Sequence, residues 1–175
     1  DAEGNPVGAN GTGADSGLRS DIAAAGGSAL VNFVQSGAGA VQRSVQSKNR
    51  EVLSVKDFGA VGDGVADDTN ALLNTAIAAR TGFTDGTGRT FAGEIFLPPG
   101  KYKIDDIIEL APTAGLIGLT INGSGSGGTE IVFDGSTATI KCTSSRQITW
   151  RDISFISSEV DDDQIAFTIN QTGNP

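Results

Sequence analysis

Apolar positions are distributed along the chain in three regimes. Over residues 1–20 large apolar side chains are almost absent among Gly, Asn and Asp, which predicts a flexible arm or linker. Over 21–34, Ile22, Ala25, Leu30, Val31, Phe33 and Val34 fall at helical spacings interrupted by Gly26 and Gly27. A hinge at 36–39 separates this run from a second helix candidate over 40–51, with Val41 and Val45 on one face. Such a short, thinly apolar helix is marginal alone, so its valines are expected to pack against copies of themselves. From residue 53 onward short alternating runs dominate, so the chain divides into an arm (1–20), a helical neck (21–52) and a β-rich remainder (53–175).

The β-rich part starts with a strand over 53–58, in which Leu53, Val55 and Asp57 face one way and Lys56 and Phe58 the other. Gly59, Gly62 and Gly64 then demand a tightly folded backbone. Asp67, Asp68 and Thr69 supply capping oxygens and first-turn negative charge to a helix over 70–80, which carries Leu72, Ala76 and Ala79 on one side. A strand from Glu94 to Leu97, a corner at Pro98, Pro99 and Gly100, and a strand to Ile104 follow. Alternating runs recur at 116–121, 130–134, 138–142, 148–155 and 165–169, with turn residues between them. The Leu119-Thr120-Ile121 run recurs in style as Ile153-Ser154-Phe155 and as Phe167-Thr168-Ile169, at a spacing on the order of one β-helix coil.

The stretch from Val55 to Thr69, VKDFGAVGDGVADDT, followed by a helix and by GEIFLPPGKY, resembles the N-terminal signature of the pectate-lyase superfamily in its bacteriophage tailspike form. Ala66 stands where Thr is usual, and Leu72-Leu73 replaces a commoner Ile-Gln. The resemblance implies a mainly β fold: a single-stranded right-handed parallel β-helix, preceded by a short α-helical neck and a capping helix. It further implies that Asp57, Phe58, Gly59, Gly62, Asp63, Gly64, Asp67, Asp68, Thr69, Pro98, Pro99 and Gly100 shape the cap and do no catalysis. Residues 39–60 are also similar to the neck of phage tailspikes and tail fibres, matching at Val41, Arg43, Val45, Lys48, Arg50 and Glu51, with Asn49 where Leu is common. That neck implies a homotrimer joined to a phage tail, baseplate or adapter protein, Val41 and Val45 being its trimer contacts. The location implied is the virion, outside the cell.

Composition narrows the picture. The 25 glycines are about twice ordinary usage, which favours many turns over a helical bundle. A net charge of −9 argues against nucleic acid, which needs a basic footprint. No stretch has the length and apolarity of a membrane span, so membrane insertion is not expected. Without histidine, triads and His-metal sites are excluded, and the lone Cys142 reads as a small buried hydrophobe. The chain begins at Asp1, has no methionine and shows no cap after Ile169, so it is expected to be a piece of a longer protein.

Glycoside hydrolysis needs two carboxylates facing one sugar about 5 to 9 Å apart. By type the candidates are Glu109, Asp134, Asp152, Glu159 and Asp161 to Asp163, the acidic run reading as a solvated loop or a weak cation site. Trp150 and Asp152, an aromatic beside an outward carboxylate, are the candidate glycan contacts. No catalytic residue, cofactor or metal is assigned. The expected function is virion attachment, trimerisation and the start of a β-helix, in a protein that binds and depolymerises bacterial surface polysaccharide by hydrolysis or elimination. The rivals are a secreted polysaccharide lyase or glycoside hydrolase, and a non-catalytic adhesin or assembly adapter.

Overall fold

The structure, a computed structural model, describes residues 14–81, 83–88, 90–110, 116–125, 127–142, 145–157 and 167–169. The chain separates into two compact units, Asp1–Glu51 and Val52–Pro175. Helices α1 (Ala14–Ala23) and α2 (Val45–Asn49) belong to the first and helix α3 (Thr69–Ala79) to the second.

In the second unit the strands pair by stacking coil on coil. Sheet I joins Val52–Ser54, Glu94–Phe96, Thr120–Asn122 and Thr149–Arg151. Sheet II joins Asp63–Asp67, Gly100–Ile104, Thr129–Phe133 and Ser154–Ser157. Sheet III joins Ile107–Glu109, Thr139–Cys142 and Phe167–Ile169, and a fourth sheet is built of two-residue strands. Every pairing in the first three sheets is parallel. Glu94, Thr120 and Thr149 stack, so successive coils take 26 and then 29 residues. This is the parallel β-helix expected from the sequence, and the right hand is the one that strand twist favours for parallel crossovers.

Stacking turns the period-two pattern into rows. Leu53, Ile95, Ile121 and Trp150 lie in register on the inner side of sheet I. Tyr102, Ile131 and Phe155 do so in sheet II, and Ile108, Ile140 and Phe167 share a register position in sheet III. Ile95, Tyr102, Ile108, Ile121, Ile131 and Ile140 are buried, each burial being worth roughly 1.5–3 kcal/mol. Phe155, on the edge strand of sheet II, is 41% exposed. The recurrence seen in the sequence is corrected here: residues 119–121, 153–155 and 167–169 lie in three different sheets, because each coil turns its corners at its own positions.

Helix α3 lays Ala71, Leu72, Thr75, Ala76 and Ala79 against the first coil and packs on the 3₁₀ turn Val55–Phe58. That turn is a second correction. The strand expected over 53–58 ends at Ser54, whose hydroxyl accepts the Lys56 N–H and starts the tighter helix.

The first unit departs further from expectation. Helix α1 begins inside the expected arm and stops before Gly26; residues 1–13 lie outside the described residues. The helix expected over 40–51 shrinks to the five residues of α2. Ser44 caps it by accepting the Ser47 N–H, while Arg43–Ser44 pairs antiparallel with Asn32–Phe33. Val41 therefore lies outside α2, and the two valines do not form one helical seam. Among the described residues of this unit only Gly27 is buried.

Candidate functional site

The glycine–aspartate turn folds as a network of carboxylates on backbone N–H groups. Asp68 is buried, and its two carboxylate oxygens accept the N–H groups of Val61 at 2.6 Å and Gly62 at 3.0 Å. Although Asp68 occupies the N-cap position of α3, its side chain makes no capping bond there. Asp67 instead accepts the Thr69 N–H at 2.9 Å, and the Thr69 side chain above all holds its pKa below the usual carboxylate range. Asp63 accepts the N–H groups of Ala66 and Val65, each at 2.8 Å, and these bonds also lower its pKa. The Thr69 hydroxyl accepts the Asp105 N–H at 3.0 Å, tying the helix start to the second coil.

Two close approaches explain the glycines. Gly62 has φ +65°, and a Cβ there would stand 2.9 Å from the Tyr102 ring. At Gly100 a Cβ would meet the Gly62 carbonyl oxygen at 2.6 Å. The Lys56 ammonium bonds the Val61 carbonyl and lies 5.4 Å from the Tyr102 ring centroid. The Tyr102 hydroxyl donates to the Pro98 carbonyl at 2.8 Å, and burial with the Asp68 charge pushes the phenol up to about 12. Asp57 and Phe58 form the end of the 3₁₀ turn, Gly59 is its left-handed cap, and Gly64 lies within the strand Asp63–Asp67. Pro99 joins sheets I and II at the corner with Pro98 and Gly100. Asp63, Asp67 and Asp68 are thus all engaged by the backbone, which suits holding shape rather than moving protons.

The two glycan candidates do not share a surface. Trp150 is in register with Ile121, packs against the core and meets Phe155 edge-on at 5.2 Å. Asp152 is exposed at the corner beyond, with φ +56°. The left-handed corner breaks the alternation that would have put both on one face. Among the other carboxylates, Asp134 pairs with Lys103 at 3.0 Å, raising the lysine pKa, and Glu109 belongs to sheet III. Glu159 and Asp161 to Asp163 lie outside the described residues. Cys142 is buried, and its thiol is pushed up to about 11 by burial and then by the Glu109 charge. Among the described residues no cluster of acidic or sulfur ligands could hold a metal, and no helix is long and apolar enough to cross a membrane.

The outward rows differ in how their polar groups are used. On sheet II, Lys101 pairs with Glu130 at 2.8 Å and Lys103 with Asp134, so the charges neutralise one another across coils. On sheet I the outward positions are Glu94, Thr120 and Thr149 in one row and Phe96, Asn122 and Arg151 in the next. The Asn122 amide donates to Glu94, Phe96 is half-buried and Arg151 is exposed. Sequence reading missed this group. Its signal is the triplet of outward, inward and outward residues, EIF, TIN and TWR, recurring just before a corner.

Residues 52–121 match the family described as rhamnogalacturonase A/epimerase, pectate lyase-like. The chain is 46% identical over 65 residues to the tail spike protein of an Escherichia phage, covering 37% of this chain and 8% of that protein. It is 39% identical over 88 residues to mannuronan C5-epimerase AlgE6 of Azotobacter vinelandii, covering 47% of this chain and 9% of the enzyme. ORF18 of Geobacillus virus E2, a solved structure, aligns with a TM-score of 0.52 at 18% identity over 71% of this chain and 27% of that one, a likeness of fold. The chain thus spans less than a tenth of these two curated relatives. Parallel coils, a capping helix and the glycine–aspartate turn coincide with the matched residues, so over this stretch the chain is similar to the pectate-lyase-like family and to phage tail spike proteins.

Proposed function

We propose that the chain is the neck and leading coils of a homotrimeric phage tailspike. The neck attaches to the virion through a tail, baseplate or adapter protein, and the β-helix belongs to a protein that binds and depolymerises bacterial surface polysaccharide outside the cell. One observation carries the assembly part of this reading. The unit Asp1–Glu51 exposes Leu18, Ile22, Leu30, Val31, Phe33, Val34 and Val41, the last at 76%, while burying no large side chain among its described residues. Apolar groups so dense on so small a unit find cover by association with copies of themselves. The polysaccharide part rests on similarity to the Escherichia phage tail spike protein and to the pectate-lyase-like family. No residue of the described coils is assigned to catalysis.

Light scattering on the native protein tests the assembly. A trimeric mass that falls to one third in Val41→Asp with Val45→Asp supports the neck, and an unchanged mass overturns it. The similarity to AlgE6 favours a second reading, a polysaccharide-modifying enzyme without a tail. A monomeric native mass together with release or modification of sugar units selects that reading. A trimer that binds glycan yet never alters it selects a non-catalytic adhesin.

A further inference from the structure

We propose that Asn122 is a fold-gated modification site. The closed coils keep its amide intact, and opening of sheet I lets the neighbouring Gly123 nitrogen convert it to aspartate and isoaspartate. The isoaspartyl form cannot re-enter the coil, so an opening long enough for the reaction is irreversible. This chemistry belongs to the chain itself and depends on neither the assembly nor any glycan.

Asn122-Gly123 is one of two Asn-Gly pairs in the chain, the other, Asn10-Gly11, lying outside the described residues. In such a pair the glycine nitrogen attacks the side-chain carbonyl carbon and closes a five-membered succinimide. The bond from that carbon to the amide nitrogen breaks, and ammonia leaves with the proton of the glycine N–H. Water then adds to one of the two ring carbonyls. Opening at the side-chain carbonyl gives aspartate; opening at the backbone carbonyl gives isoaspartate, whose main chain runs through the side-chain methylene. Glycine favours ring closure because it has no Cβ and its backbone turns freely. The Asp-Gly pairs at 63–64, 85–86 and 134–135 offer carboxylates, which resist the same attack at neutral pH.

Contacts on both neighbouring coils hold the pair unreactive. The Gly123 N–H donates to the Arg151 carbonyl at 2.9 Å, so the attacking nitrogen is engaged. The Asn122 carbonyl accepts the Leu97 N–H at 2.8 Å, which together with the strand pairing fixes the torsion that ring closure must turn. The Asn122 amide donates to Glu94, which aligns with Thr120, two residues before Asn122, so the electrophile is drawn away from Gly123. The corner also explains why this neighbour is a glycine. A Cβ at position 123 would stand 2.2 Å from the Asp152 carbonyl oxygen and 2.9 Å from the Thr129 Cβ. The same closeness excludes isoaspartate, because an added backbone methylene moves Gly123 and the bonds to Leu97 and Arg151 cannot both form. An ordinary aspartate keeps the backbone length, and Arg151 lies opposite it in register to offset its charge.

The test is peptide mapping by mass spectrometry on the full chain, held at mildly alkaline pH in buffer and in urea. Conversion at Asn122 should be slower in buffer than in urea by about a hundredfold, because paired strands open rarely. Equal rates in the two solutions overturn the gate. After dilution from urea, the refolded fraction should carry aspartate at position 122 but be depleted of isoaspartate by about tenfold relative to the urea pool. Equal isoaspartate in both fractions overturns the exclusion. Asn122→Gln, whose longer side chain closes a ring far more slowly, should keep its refolding yield through a hold in urea that lowers the yield of the unaltered chain. Should that variant fail to fold, judged by circular dichroism, Asn122→Ser takes its place. A yield that falls equally with and without Asn122 overturns the irreversible step.

Discussion

The two units use apolar residues in opposite ways. In Val52–Pro175, isoleucines recur at register-matched positions, and each is covered by neighbouring coils or, for Ile108 on an edge strand, by a coil on one side and helix α3 on the other. In Asp1–Glu51, residues of the same kind stand in water because short elements offer them no partner row. Parallel stacking repeats one solution at every coil, so each new strand finds a surface already shaped for it. Two short helices and a two-residue ribbon have no such repeat, and their stability has to come from association. What a chain can bury alone thus depends less on how many apolar residues it holds than on whether its topology brings them to the same place.

The difference can be broken from either side. The largest expected effect is on assembly: Val41→Asp with Val45→Asp should abolish the trimer in light scattering, while leaving the melting transition of the β-helical unit in place. Within the β-helix, Asp68→Ala should cost about 4 kcal/mol in urea unfolding, because it removes a buried carboxylate that holds the part-buried N–H groups of Val61 and Gly62 by two charge-assisted hydrogen bonds. Ile131→Ala, at a fully buried position between coils, should cost about 3 kcal/mol by the same measurement and leave the native mass unchanged. The smallest effect is acidic. The native pKa values of Asp63 and Asp67 lie below their unfolded ones, so their stabilisation is complete above the ordinary Asp range near pH 4. It is lost as pH falls through the native values. Melting midpoints should be flat from about pH 7 to 5 and fall below about pH 4, and Asp63→Asn should flatten that acid limb.

The β-helix was legible because its signals are local. The glycines, the aspartates and the Pro98-Pro99-Gly100 corner each require a particular backbone, and alternation marks the inner rows without knowledge of the partners. The role of Asp68 was not legible in detail: sequence offers it as a cap for α3, whereas the folded turn claims it for Val61 and Gly62. Both uses need an Asp beside Thr69, so residue type alone does not separate them. The inward side of Trp150 was illegible for a related reason. Alternation is ambiguous in phase for a three-residue strand, and only the stack on Ile121 shows which way it points. The outward row of Phe96, Asn122 and Arg151 escaped notice because its members are 26 and 29 residues apart and unite only once the register is known.

The coil length has a consequence for synthesis. Each strand of sheets I and II pairs with one lying a single turn earlier in the chain, so no pairing there awaits a distant segment. Loop closure of this length costs little more for the fourth coil than for the second. A ribosome releasing on the order of 5–20 residues per second delivers one coil every few seconds, far slower than chain collapse. Within the β-helical unit, the turn held by Asp68 leaves ahead of the coils that stack on it. Folding order is therefore written in the direction of translation, and an error in the turn propagates to every coil that follows.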